Sequence, residues 1–200
     1  MVLDAIINEA KNAIVAAIKG ADDIVSALRD AVKNQVVGAI GTVKGTGEAS
    51  VDAVAGVTTA AIRAAGEVGV SISDAVKASV GSAISAAAST GEDTLAAVYS
   101  SVKAAVKGAV DVGGSVGEAS VAAVTGVVEA SGELGASADK AVEKAVSGAI
   151  DAAGDIGGEA INEVKNALGT VASVPKEMLE KAIGKKAKAP AKPEQPAPVA

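Results

Sequence analysis

This chain has almost nothing large to put inside a fold. It contains no phenylalanine, tryptophan, histidine or cysteine, and Tyr99 is its one aromatic residue. Half of its 200 residues are nonetheless apolar, chiefly alanine and valine, and 23 glycines are interspersed among them. Aromatic side chains bury about 150–250 Å² each and dominate most cores, whereas burial returns only about 25 cal/mol per Å². Any core here must come from Val, Ile and Leu on backbones that approach closely. A mean hydropathy of +0.39 with a net charge of −6 is not the low-hydropathy, high-charge signature of a disordered chain.

The same shortages restrict chemistry. Without histidine or cysteine there is no imidazole base, thiolate nucleophile or disulfide framework. Gly-Lys occurs only at Gly184-Lys185, without the glycine spacing of a phosphate loop. The adjacent carboxylates Asp22-Asp23 and Glu92-Asp93 sit where helices are expected to start, and they read as caps rather than as a metal or acid–base pair. The chain is therefore expected to be no enzyme and to use no cofactor, metal or small-molecule substrate. The longest uncharged stretch, Ala78 to Gly91, is too short and too rich in serine for a membrane-spanning helix. The N-terminus carries acidic residues where a secretory signal would be basic. A cytoplasmic protein, peripheral to a granule or membrane, is the expectation.

Periodicity points to helices. Leu3, Ile7, Ile14, Ile18, Val25, Leu28, Val32, Val36 and Ile40 follow helical spacing across residues 1–43, with a break signalled at Gly20-Ala-Asp-Asp. Leu3, Ile14, Val25 and Val36 stand eleven apart, as do Ile7 and Ile18. An eleven-residue repeat holds one stripe on one face of a nearly straight helix, so these nine residues are the candidate surface-binding stripe. Residues 44–174 are internally repeated. Residues 31–50 match 101–120 at an offset of 70, and Gly66–Gly69 match Gly132–Gly135 at an offset of 66. At the same offset of 66, Ala75–Ile84 matches Ala141–Ile150; the outer ends echo each other too, Ile7–Ile14 reappearing as Ile161–Leu168.

Gly-Glu pairs at 47, 66, 91, 117, 132 and 158 read as punctuation, glycine ending one helix and the acid opening the next. The helices expected from this are 72–88, 93–111, 118–131, 136–153 and 158–173. The glycine-dense stretches are expected to be weak helix or loop, since an interior glycine costs about 1 kcal/mol relative to alanine. Gly41/Gly45, Gly113/Gly117 and Gly154/Gly158 have the four-residue spacing that lets helix backbones touch, and they are the candidate packing glycines.

Charge divides the chain. Up to Val174 there are 12 basic and 21 acidic residues, and from Pro175 onward the balance is +3. The acidic body argues against nucleic acid as a main partner, leaving only the 175–200 tail for such contact. That tail, rich in lysine, alanine and proline, is expected to be disordered.

The sequences Asp111-Val-Gly-Gly and Ala123-Val-Thr-Gly-Val127, set in an eleven-residue periodicity, look like the lipid-binding repeats of synucleins and perilipins. An alanine-rich helical body followed by a lysine-alanine-proline tail is similar to bacterial phasins, which coat polyester granules. The chain departs from both groups: the Lys-Thr-Lys-Glu-Gly-Val unit of synucleins is missing, and phasins ordinarily carry phenylalanine. The resemblance implies a coat on a hydrophobic surface such as a storage granule, lipid droplet or membrane. The competing expectation, drawn from the glycine spacing, is a homo-oligomeric structural bundle or filament. Either way the expected fold is all-α, an elongated or loose bundle of amphipathic Ala/Val/Gly-rich helices.

Overall fold

A computed structural model describes residues 2–43 and 47–171. The expected disordered tail at 175–200 and Gly45 lie outside the described residues. The described chain is all-α: α1 Val2–Ile18, α2 Ile24–Thr42, α3 Gly47–Val68, α4 Ile72–Thr90, α5 Thr94–Asp111, α6 Val116–Leu134, α7 Ala138–Ile156 and α8 Gly158–Leu168, with one 3-10 turn at Gly135–Ser137. The break expected at Gly20 separates α1 from α2, and Asp23 caps α2 by accepting from the Ser26 amide at 3.0 Å. Asp93 caps α5 through the amides of Leu95 and Ala96, both at 3.1 Å. Two of the expected acidic starts are thus caps that satisfy orphan amides.

The helix stops differ from expectation. Gly66, Gly117 and Gly132 lie inside α3, α6 and α6 rather than between helices. The chain turns instead at Gly69, Gly91, Gly113, Gly135 and Gly157, all at positive φ and each 22 residues after the last. At Gly91 the left-handed φ of 76° lets the amides of Gly91 and Glu92 both return to Ala87, the C-terminal cap for which glycine is best suited. Helix α3 is also longer than the sequence suggests. Gly47, Gly56 and Gly66 together with Val51, Val54, Val57, Thr58 and Thr59 weaken local propensity, and burial overrides it: Val54, Val57, Thr58, Ala60, Ala61 and Ile62 are all enclosed.

The 22-residue interval runs through the core. Ala10, Val32, Val54, Val76, Val98, Ser120, Val142 and Val164 occupy one position in eight successive helices, and all eight are buried. Four residues on, Ile14, Val36, Thr58, Val80, Val102, Val124, Val146 and Leu168 form a second buried row. The repeating unit is therefore one helix and its turn, two eleven-residue periods long. From α4 to α8 the buried rows stand at a fixed distance from the turn glycine before them in each unit, so successive helices present the same face inward. The offset of 66 between Ala75–Ile84 and Ala141–Ile150 is three such units. The offset of 70 is one helical turn out of register, a match that alanine, valine and glycine produce readily at helical spacing.

Each helix packs on those one and two places away along the chain. Odd helices lie side by side in one layer (α1 on α3, α3 on α5, α5 on α7), and even helices in the other (α2 on α4, α4 on α6, α6 on α8). Short turns make sequence neighbours antiparallel across the layers. The first 43 residues belong to this array, since α1 and α2 share one continuous apolar core with the rest. Stability in such an array is a sum over neighbouring units.

Candidate functional site

Eight of the nine stripe residues lie in the interior or against it. Ile14, Ile18, Leu28, Val32, Val36 and Ile40 are buried, Ile7 and Val25 are half-buried against the same core, and Leu3 stands near the start of α1. The stripe that reads as a surface-binding face is, in the folded chain, the seam between the two layers. The physical reason is the eleven-residue period itself: each helix of the array repeats it, so the stripes have one another to cover them.

The expected packing glycines do not act as pairs. Gly41 has nothing within 4 Å of where a Cβ would stand, Gly113 is a turn residue at φ 89°, and Gly158 opens α8 with free space around it. Gly154 lies within α7. Gly117 is at a helix contact, where a Cβ would stand 3.1 Å from the Glu163 side chain and 3.3 Å from Ala167 Cβ.

The residues that bring helices together are others. A Cβ on Gly126 would stand 2.7 Å from the Lys77 carbonyl oxygen, and one on Gly148 would stand 2.7 Å from that of Tyr99. Both contacts join helices two places apart in one layer, and in both the partner lies 49 residues earlier. This is again one position of the 22-residue unit: Ala16, Gly38, Ala60, Ser82, Ala104, Gly126 and Gly148. Every member is small, and at Gly126 and Gly148 it faces the backbone of the preceding helix in its layer. The signal was present in the sequence at a spacing of 22, beyond the reach of a search for glycines four apart.

Polar contacts follow the same direction. Lys11 pairs with Glu67, Arg63 with Asp111 at 3.4 Å, Lys77 with Glu129 at 2.8 Å, and Lys103 and Lys107 with Asp155 at 2.9 and 3.4 Å. In each the base is on the earlier helix and the acid two helices later. Tyr99 donates to Asp151 at 2.6 Å and Ser115 to Glu163 at 2.7 Å in the same sense. Lys103 holds the Asp155 carboxyl below its ordinary pKa, and the Ser115 hydroxyl, helped by the Gly117 amide, does the same for Glu163. Burial, reinforced by the bond to Asp151, pushes the Tyr99 phenol upward. These rungs align the helices of each layer; exposed pairs of this kind contribute about 1 kcal/mol or less apiece.

No protein-family model, curated protein or solved structure matches this chain.

What the surface offers chemically is limited. The groove between α4, α6 and α8 is lined by Ser73, Asp74, Lys77, Glu118, Thr125 and Thr170 among small apolar residues. Its charged groups are solvated, and Lys77 is committed to Glu129. Among the described residues no three acidic side chains gather as they would around a metal ion, and no helix is long and apolar enough to cross a membrane. Tyr99 serves packing: it seats against Gly148 and ties α5 to α7.

Proposed function

We propose that this chain is a non-enzymatic structural protein, a self-packed helical array whose work is done by helix faces that meet other helices. One observation carries the reading. The apolar side chains that could grip a foreign surface are spent on one another, leaving Val37 and Ile156, at 41% and 42% exposure, as the exposed large hydrophobics among the described residues. A composition without histidine or cysteine supports a mechanical rather than a chemical role. The test is thermal unfolding of the full chain in plain buffer, followed by circular dichroism and calorimetry. A single cooperative transition without lipid is expected; a gradual, calorimetrically featureless loss of helicity overturns the reading.

A second reading is favoured by the slightness of the core. Its buried rows are alanine and valine, so separating the two layers forfeits little area per residue, and the freed faces would form the phasin-like coat on a granule, droplet or membrane in the cytoplasm. The lysines of the tail would add attraction to an anionic surface. Because the packed array is already helical, flotation with vesicles or polyester granules is the discriminating assay, and co-flotation accompanied by loss of the cooperative melt is the expected sign. Protein left in the bottom fraction with its melt unchanged removes this reading.

A further inference from the structure

The small-residue position that seats each helix on its predecessor is also present where there is no predecessor. Ala16 on α1 and Gly38 on α2 occupy it, both are exposed, and nothing lies within 4 Å of a Cβ on Gly38. In the same layer Ser82 is nearly enclosed and Gly126 meets the Lys77 backbone. Gly41 and the exposed Val37 continue the bare face of α2. Glycine within a helix costs about 1 kcal/mol against alanine, and among the described residues nothing lies within 4 Å of a Cβ at 38 or 41. A helical array that ends in solvent ordinarily closes on a polar outer face; α2 exposes Val37, Gly38 and Gly41 beside Lys33, Asn34 and Thr42, so its outer face is polar only in part.

The opposite end supplies the matching element. Gly126 rests on the backbone at Lys77, and the residue of α8 that stands four units after Lys77 is Lys165. Eight units span 176 residues, so a second copy added in register would place its Gly38 49 residues beyond Lys165, the separation already seen for Gly126 with Lys77 and Gly148 with Tyr99. The bridges agree with the same order: Lys11–Glu67, Arg63–Asp111, Lys77–Glu129 and Lys103–Asp155 all run forward along the chain, and Glu9, Asp22 and Asp30 are exposed at the leading end and Lys140, Lys144 and Lys165 on the last two helices, each set among exposed groups of the other sign.

We propose that copies of this chain stack head to tail, α8 of one against α2 of the next, with Gly38 seated on the backbone at Lys165. This rests on the structural reading above and names its partner. The absence of cysteine makes the register directly testable with the full chain. Gly41→Cys and Lys165→Cys proteins are mixed and joined by a short bis-maleimide; in this register the two positions correspond to Glu129 and Lys77, whose side chains meet at 2.8 Å, and a Cβ at 41 is free of neighbours. The expected product is the mixed crosslink in excess of either homodimer, together with a concentration-dependent mass above 19.0 kDa for the unmodified chain. Gly38→Trp, which has room in the single chain, is expected to weaken association about tenfold or more while leaving the melting temperature of the dilute protein unchanged or higher. A mass fixed at one chain, a Gly41→Cys homodimer as the main product, or a statistical mixture overturns the stacking. A cooperative melt beside any of those results leaves the structural reading standing, so the two failures are distinguishable.

Discussion

Gly148 stands so close to Tyr99 that a Cβ on it would meet the Tyr99 carbonyl oxygen at 2.7 Å. Backbone cannot retreat from such a contact as a flexible side-chain tip can. The pair sets the distance between α5 and α7, and Gly126 with Lys77 sets the same distance between α6 and α4. Closely approaching backbones are how a chain without bulky residues still fills its interior. Interiors are packed to near-crystalline density, and with Ala and Val as filler that density is reached only when helix axes draw together.

Substitution at this position separates the two roles of glycine. Gly148→Val is expected to lower stability by about 3 kcal/mol or more, the cost of overpacking plus displaced neighbours. Gly41→Ala, on an open face, is expected to raise it by about 1 kcal/mol through helix propensity alone. Denaturant melts of both variants provide the check; equal effects would mean that the close approach between α5 and α7 is not maintained in solution.

Ser79 is the one buried side chain among the described residues whose polar atom has no hydrogen-bond partner. Its neighbours in the 22-residue register are Val57 and, beyond Ser101, Ala123 and Ala145, so alanine suits the site. Ser79→Ala is expected to stabilise by about 1 kcal/mol, since it removes an unsatisfied hydroxyl without opening a sizeable cavity. Ser120→Ala, which deletes a hydroxyl bonded to the Val116 carbonyl at 2.7 Å, is expected to be neutral or mildly destabilising. Chemical denaturation of the two variants side by side tests the contrast.

Stability is expected to depend on pH at both extremes. The carboxyls of Asp155 and Glu163 are held below their ordinary values in the fold, the first by Lys103 and the second by Ser115. Their contribution is full above the unfolded carboxylate pKa of about 4 and is lost as pH falls through the lower folded values. Tyr99 is held above its ordinary value by burial and by its bond to Asp151. Its contribution is present below about pH 10, where the unfolded phenol ionises, and declines as pH rises beyond that. Melting temperatures measured from pH 2 to 11 are expected to form a plateau with both shoulders, and Tyr99→Phe is expected to flatten the alkaline one.

Much of the fold was legible and the unit was not. Helical spacing in Ile72, Val76, Val80 and Ile84, and in Leu95, Val98, Val102 and Val106, located α4 and α5 to within two residues. The eleven-residue interval from Leu3 to Val36 was half of the true unit. What hid the rest was the uniformity of the filler: Gly-Glu pairs at 66, 117 and 132 resembled helix boundaries because glycine serves both as a stop and as a close-contact residue. Only the φ of Gly69, Gly91, Gly113, Gly135 and Gly157 distinguishes the first use, and only the nearness of Gly126 and Gly148 to a neighbouring carbonyl distinguishes the second. The outward reading of Leu3 to Ile40 failed for a related reason. An amphipathic stripe records that something covers it, and spacing within one helix does not say whether that cover is a foreign surface or the next helix of the same chain.

Shortening the array by whole units tests its construction most directly. Deleting residues 102–145, two complete 22-residue units, joins Ser101 of α5 to Val146 of α7 within one continuous helix and keeps both its layer and the inward direction of its buried face. A control that deletes 102–147 removes two residues more and turns the face beyond the junction by about 200°, at about 100° per residue. The first protein is expected to keep its helicity per residue and a single cooperative melt at a lower temperature, the second to lose the melt. Equal behaviour of the two, folded or unfolded, would contradict a fold built from one helix repeated every 22 residues.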